Sequence, residues 1–108
     1  MDENLDNVLE DIFETANSKK HADPTESYTA QLFEGGISKI AAKVGEEAVE
    51  TVVAALTQPD QVVDESADLL YHLVVLWAEL KIPPKDIFRE LQNRRGVSGI
   101  EEKLSRNK

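Results

Sequence analysis

The sequence predicts an all-α fold, a helical bundle built on a central antiparallel helix pair. Three observations predict it. Apolar residues recur at three- and four-residue spacing along most of the 108 positions, glycines and prolines stand between these runs, and the alternating pattern of a half-buried strand is nearly absent. No internal repeat or low-complexity segment interrupts the pattern. A chain of this length fits one core, assigned to residues 1–96, with 97–108 as a loosened tail. Apolar helix faces left over by one hairpin make a homodimer the expected way of completing the bundle.

The first amphipathic helix starts near Leu5 and carries Val8, Leu9, Ile12, Phe13 and Ala16 on one face, with Asp6, Glu10, Asp11 and Glu14 on the other. Asn17 to Ser27 is polar, contains Pro24 and reads as a loop. Ser27 caps a short helix from Tyr28 to Glu34, which Gly35-Gly36 stops. A long helix follows, marked by Ile37, Ile40, Ala41, Val44, Ala48, Val52 and Leu56, and Thr57-Gln58-Pro59-Asp60 ends it. The next helix runs from about Gln61 to Leu80 on Val62, Leu69, Leu70, Leu73, Val74 and Trp77, and Pro83-Pro84 closes it. Pro84 suits the first turn of a last helix reaching about Arg95, with Ile87, Phe88 and Leu91 inward, before Gly96 and Gly99 loosen the end. Trp77, Val74, Leu73 and Leu70 form a stripe better suited to the core or a dimer seam than to a base pocket.

Composition removes several classes of function. A formal net charge of -9 repels the phosphate backbone of polymeric nucleic acid, yet leaves room for a small phosphorylated substrate bridged by divalent cations. No cysteine means no disulfide, no thiolate nucleophile and no cysteine-based zinc or iron-sulfur site. The acidic start is unlike a secretory signal, and the longest apolar stretch, Leu69 to Ala78, is too short to span a bilayer, so no membrane partner is expected and the cytoplasm is the expected location.

The informative residues are carboxylates: Glu46, Glu47 and Glu50 on the long helix, Glu65 and Asp68 on the next. Residues three or four apart are neighbours on a helix surface, so each helix offers a jaw of two acids. The link around Pro59 is short, which makes the two helices antiparallel. Counted from that turn, Glu50 and Glu65 stand at one level and Glu47 and Asp68 one turn further down, so all four converge. Glu47 also lies in line with Ile40, Val44 and Thr51 on a mostly apolar stripe, unlike the solvated acids of the first helix. Four acids at one place are costly without a cation, and an oxygen-only ligand set favours Mg2+, with Mn2+ as a substitute.

The pattern Glu46-Glu47-x-x-Glu50 followed by Glu65-x-x-Asp68 resembles the signature of the all-α, MazG-like nucleotide pyrophosphohydrolases. The runs Ser27-Tyr28-Thr29, Lys43 to Thr51 (KVGEEAVET) and Ala67 to Leu73 (ADLLYHL) look like one branch, the phosphoribosyl-ATP pyrophosphohydrolases of histidine biosynthesis, over about Leu5 to Gly96. That resemblance implies hydrolysis of the α–β phosphoanhydride of phosphoribosyl-ATP to phosphoribosyl-AMP and pyrophosphate, with Mg2+, in a homodimer. It also implies Glu47, Glu50, Glu65 and Asp68 as metal ligands. Many relatives are fused to a cyclohydrolase with cysteine and histidine zinc ligands, so this chain reads as a stand-alone form.

Further roles are expectations. Glu46, or a ligand carboxylate, accepts the proton of the attacking water. Lys43 holds a phosphate or pairs with Glu47 at i,i+4. His72 orients a ligand carboxylate or is a buried structural histidine. Ser27, Tyr28 and Thr29 receive a phosphate or ribose group, or simply cap the helix. Lys39, Arg94 and Arg95 are candidates for the 5-phosphate, Arg94 foremost, and His21 has no role. Two alternatives remain: a house-cleaning hydrolase of noncanonical nucleoside triphosphates, and a noncatalytic helical dimer that binds metal or a partner protein.

Overall fold

The computed structural model describes residues 7–96 and 99–106, apart from the side chain of Glu102. Among the described residues five α-helices follow one another: α1 (Val8–Ser18), α2 (Tyr28–Thr57), α3 (Val62–Leu80), α4 (Pro84–Asn93) and α5 (Gly99–Arg106), with a 3-10 turn at Pro59–Gln61 between α2 and α3. No strand occurs among the described residues. None of the described helices is long and apolar enough to cross a membrane.

Local chemistry sets the boundaries. After α1, the Asp23 Oδ1 accepts from the Thr25 amide at 2.9 Å and its hydroxyl at 2.8 Å, a side-chain turn that redirects the chain. Ser27, in extended conformation, then caps α2 by accepting from the Ala30 amide at 3.1 Å. The break expected at Gly35-Gly36 is present as a kink. Gly36 has φ 81° and ψ -177°, a conformation open almost only to glycine, and the chain resumes the helix on both sides. At the end of α3, Lys81 adopts the left-handed conformation (φ 61°), and the Ile82 amide reaches back to Trp77 O at 2.9 Å. Pro84 opens α4, its ring fully buried.

α2 and α3 pack as the central antiparallel pair, and α1 lies across α3. The core is Ala16, Leu32, Ile40, Val75 and Ala78, flanked by Phe13, Phe33, Tyr71 and Leu76. Lys20 fastens the far end of α1, donating to Ala78 O at 2.9 Å with its ammonium 5.6 Å from the centre of the Phe33 ring.

The expected start of the first helix near Leu5 lies outside the described residues, within which the helix runs from Val8. Two sequence expectations change. The segment read as a loosened tail is helical over Gly99–Arg106. Most consequential, the apolar stripes do not all point into the core: Val52 and Leu56 of α2, Leu70 of α3 and Leu91 of α4 are exposed. Of these, Val52 and Leu56, together with Val49, Val53 and Val63, leave the α2–α3 turn clad in open apolar side chains, Leu56 at 80% and Val63 at 78% exposure. The physical reason is that α1 covers α3 away from that turn. The radius of gyration is 16.0 Å, against about 13 Å for a compact chain of this length.

Candidate active site

Beyond the Gly36 kink, α2 carries Lys43, Glu46, Glu47, Glu50 and Thr51 down one flank, and α3 returns Glu65, Asp68 and His72 alongside. Thr51 pins the register between them. Its Oγ1 lies 2.8 Å from Glu47 O, the back-bond a mid-helix threonine can make, and 3.3 Å from Glu65 O across the seam.

In this frame one carboxylate oxygen each from Glu47, Glu65 and Asp68 lie within 4.8 Å of one another. Glu47 is only 7% exposed. Its Oε2 and the Oε2 of Glu65 are buried without a hydrogen-bond partner among the described residues. Burial raises both carboxyls above the ordinary range, and Glu50, beside both, adds to it through side-chain hydrogen bonding and like charge, with Asp68 contributing further repulsion. Thus three of the four converging acids supply the cluster's oxygens, and Glu50 stands against Glu47 and Glu65 outside that group of three.

Whether a hard cation fits can be judged from the donors. Acids with buried unpartnered oxygens in a like-charged group are destabilising as they stand, and a divalent ion is the simplest compensation. The donors are all oxygen, which suits Mg2+ or Mn2+ and not a soft metal. The residues present therefore fit the ion.

Lys43 is drawn to the rim of this cluster, its Nζ 3.2 Å from Glu46 Oε2 and 3.9 Å from Glu47 Oε1. Hydrogen bonding to Glu46, then the proximity of Tyr28, holds its ammonium above the usual lysine range. The sequence weighed a pair with Glu47; the closer partner is Glu46, which is mostly exposed and not part of the three-oxygen cluster.

His72 is buried, but it does not reach a ligand carboxylate. Its Nδ1 lies 2.7 Å from the backbone carbonyl of Asp68 and its Nε2 2.9 Å from the Tyr28 hydroxyl. The rings of Tyr28 and Tyr71 meet it edge-on, at 5.9 and 5.3 Å between centres. Tyr28 is half exposed, and its hydroxyl is raised in pKa chiefly by desolvation, with Lys43 opposing and Glu47 adding to the rise. Thr29 hydrogen-bonds the Tyr71 hydroxyl, and Ser27 is spent on the helix cap.

Two expected phosphate ligands lie elsewhere. Lys39 folds along Gly35, where a Cβ would meet its Cδ at 2.2 Å. Arg94 pairs with Glu90 at 3.0 Å and lines a cavity of about 390 Å³ with Trp77, Ile87 and Leu91. Trp77 is nine residues past Asp68 on α3, about 13 Å along the axis. Within one chain Arg94 is thus remote from the acids, because α4 packs at the opposite end of α3. A cavity of about 350 Å³ does adjoin them, between Val49, Glu50, Val53 and Glu65. Sequence reasoning passed over Thr51 and Tyr71 as participants. The i+4 spacing of Thr51 from Glu47 was a usable signal; the Tyr71–Thr29 contact spans 42 residues and had none.

Comparison with known proteins agrees with this geometry. The family model described as phosphoribosyl-ATP pyrophosphohydrolase matches residues 9–95. A protein named phosphoribosyl-ATP pyrophosphatase from Paramagnetospirillum magneticum is 55% identical over 102 residues, covering 94% of this chain and 94% of its own. Proteins of the same name from Azospirillum brasilense (51% over 100 residues, 92% and 90% covered) and Geobacter sulfurreducens (46% over 103 residues, 94% and 95% covered) are also similar. The match runs through both jaws of the acidic cluster and the Tyr28–His72 pair, and the chain belongs to the phosphoribosyl-ATP pyrophosphohydrolase family.

Proposed function

We propose that this protein hydrolyses the α–β phosphoanhydride of phosphoribosyl-ATP, giving phosphoribosyl-AMP and pyrophosphate in histidine biosynthesis, with a divalent cation held by Glu47, Glu65 and Asp68 and supported by Glu50. The observation that carries the metal dependence is that Glu47 and Glu65, each with a buried oxygen unpartnered among the described residues, cluster with the Asp68 carboxylate. When bound, Mg2+ supplies positive charge that draws polyphosphate oxygens toward an otherwise acidic surface and offsets negative charge developing on them.

The chain's own residues do the rest. Lys43 is positioned to set an ammonium against a phosphate oxygen, exchanging its ion pair with Glu46 for the substrate. Glu50, next to the cluster but outside its three-oxygen group, accepts the proton of the attacking water. Glu46, mostly exposed and not part of the three-oxygen group, is the weaker candidate for that proton. Thr51 holds the two jaws in register. The exposed apolar turn and the expanded radius support a homodimer in which the partner covers Leu56 and Val63. A histidine-biosynthetic role carries with it a cytoplasmic location.

The test is pyrophosphate release from phosphoribosyl-ATP with and without Mg2+, on wild type, Glu50→Gln and Glu46→Gln. Release that requires Mg2+, is abolished in Glu50→Gln and persists in Glu46→Gln is expected. Full turnover in the presence of a chelator contradicts the metal reading, and full turnover by Glu50→Gln removes that residue from the proton transfer.

A further inference from the structure

The hydrogen-bond polarity of the Tyr28–His72 pair restricts what Tyr28 can recognise. A backbone carbonyl only accepts, so His72 Nδ1, 2.7 Å from Asp68 O, must carry the ring hydrogen. In the neutral ring Nε2 is then a lone pair, and the Tyr28 hydroxyl at 2.9 Å must donate to it. The ring cannot turn over to reverse these roles easily, because it is buried and gripped edge-on by Tyr28 and Tyr71. A phenol has one hydrogen, and here it is committed. What remains on the Tyr28 oxygen, beside Lys43 and the acidic cluster, is acceptor capacity only.

Phosphate oxygens at working pH are acceptors, so an oxygen of this polarity repels them and favours a hydrogen-bond donor. Resting on the phosphoribosyl-ATP reading above, we infer that Tyr28 is a specificity residue that accepts a hydrogen bond from a sugar hydroxyl of the substrate, and that His72 is the positioning residue that makes it an acceptor. Of the phosphate or ribose group, or plain helix cap, expected at Ser27, Tyr28 and Thr29, this keeps a ribose at Tyr28 alone, since Ser27 caps α2 and Thr29 is bonded to Tyr71. The two riboses of phosphoribosyl-ATP present the same chemistry, and analogues lacking one hydroxyl at a time distinguish them.

The experiment measures KM and kcat for wild type and variants on phosphoribosyl-ATP and on each singly deoxygenated analogue. Tyr28→Phe is expected to raise KM about 3–10-fold on the parent substrate with kcat within about twofold, the size of one neutral hydrogen bond. One analogue should show the same penalty with the wild type, and Tyr28→Phe should add nothing on that analogue alone. His72→Gln, whose amide oxygen can accept where Nε2 does, should keep most of the wild-type KM, whereas His72→Leu should match Tyr28→Phe. An unchanged KM in Tyr28→Phe, an equal penalty on every analogue, or a His72→Gln no better than a folded His72→Leu overturns the inference. If His72→Leu does not fold, Tyr28→Phe, altered at a half-exposed residue, decides it with the analogues. Wild type that leaves phosphoribosyl-ATP intact refutes the parent reading and this inference together; turnover with an unaffected Tyr28→Phe refutes this inference alone.

Discussion

Glu47 is a buried acid whose Oε2 has no partner among the described residues, and that makes its effect on stability depend on what occupies the cluster. Without metal, Glu47→Gln removes an uncompensated charge and should raise Tm, by roughly 5 °C if about 1 kcal/mol is recovered. With metal the sign reverses, because the variant loses the gain that Mg2+ gives the wild type; differential scanning calorimetry in EDTA and in Mg2+ reads both. Neighbours of metal ligands are commonly worth about 10–100-fold in activity, so loss of a direct ligand should exceed about 100-fold in pyrophosphate release. Acidity follows the same logic. The Glu47 and Glu65 carboxyls are raised in the folded chain, so the native state binds protons more tightly than the unfolded one. Their contribution to stability is therefore fully present below the ordinary value of 4.5 and lost as pH rises through the raised folded values. Denaturant melts of the metal-free protein across that window should show stability falling with pH, and a weaker slope in Glu47→Gln.

At the scale of elements, the site depends on two joints that hold α2 in place. Thr51 ties the jaws of α2 and α3 together through backbone carbonyls, so Thr51→Val, which keeps the shape and drops the hydroxyl, should cost about 1 kcal/mol. It should also weaken metal binding more than a change of that size on an outer face of α1, as titration calorimetry can establish. Gly36 aims the Tyr28 turn at the acids, and Gly36→Ala forces an L side chain into a conformation that costs about 1–3 kcal/mol. Loss of thermal stability and a raised KM together are expected. Much of this layer was legible in the sequence: the Ser27 cap, the Gly35-Gly36 break, the Pro59 turn and the antiparallel pairing all follow from local chemistry. The convergence of Glu47, Glu65 and Asp68 was also legible, since helical spacing and a short turn fix their levels. The hydrogen-bond partners of His72 and the placement of Arg94 were not. His72 is decided by which of several acceptors a ring nitrogen reaches, and Arg94 by which end of α3 receives α4, and neither is encoded in local spacing.

For the whole molecule, the question is what covers the apolar end of the α2–α3 pair. Periodicity predicted stripes at Val52, Leu56 and Leu70 but could not say whether a helix of the same chain or a second copy would meet them; the fold leaves them open. Sedimentation equilibrium should therefore give twice the 12.0 kDa of one chain, and Leu56→Glu should shift the protein toward monomer while leaving its helical content intact. A wild-type monomer at working concentration refutes that assembly. The claim beneath the rest is that the Glu47–Glu65–Asp68 cluster holds a divalent cation, and titration calorimetry with Mg2+ and Mn2+ tests it most directly. Saturable uptake that releases protons near the raised carboxyl range, and that is lost in Glu65→Gln, is the predicted result. Equal uptake by wild type and Glu65→Gln, or none by wild type, would contradict it.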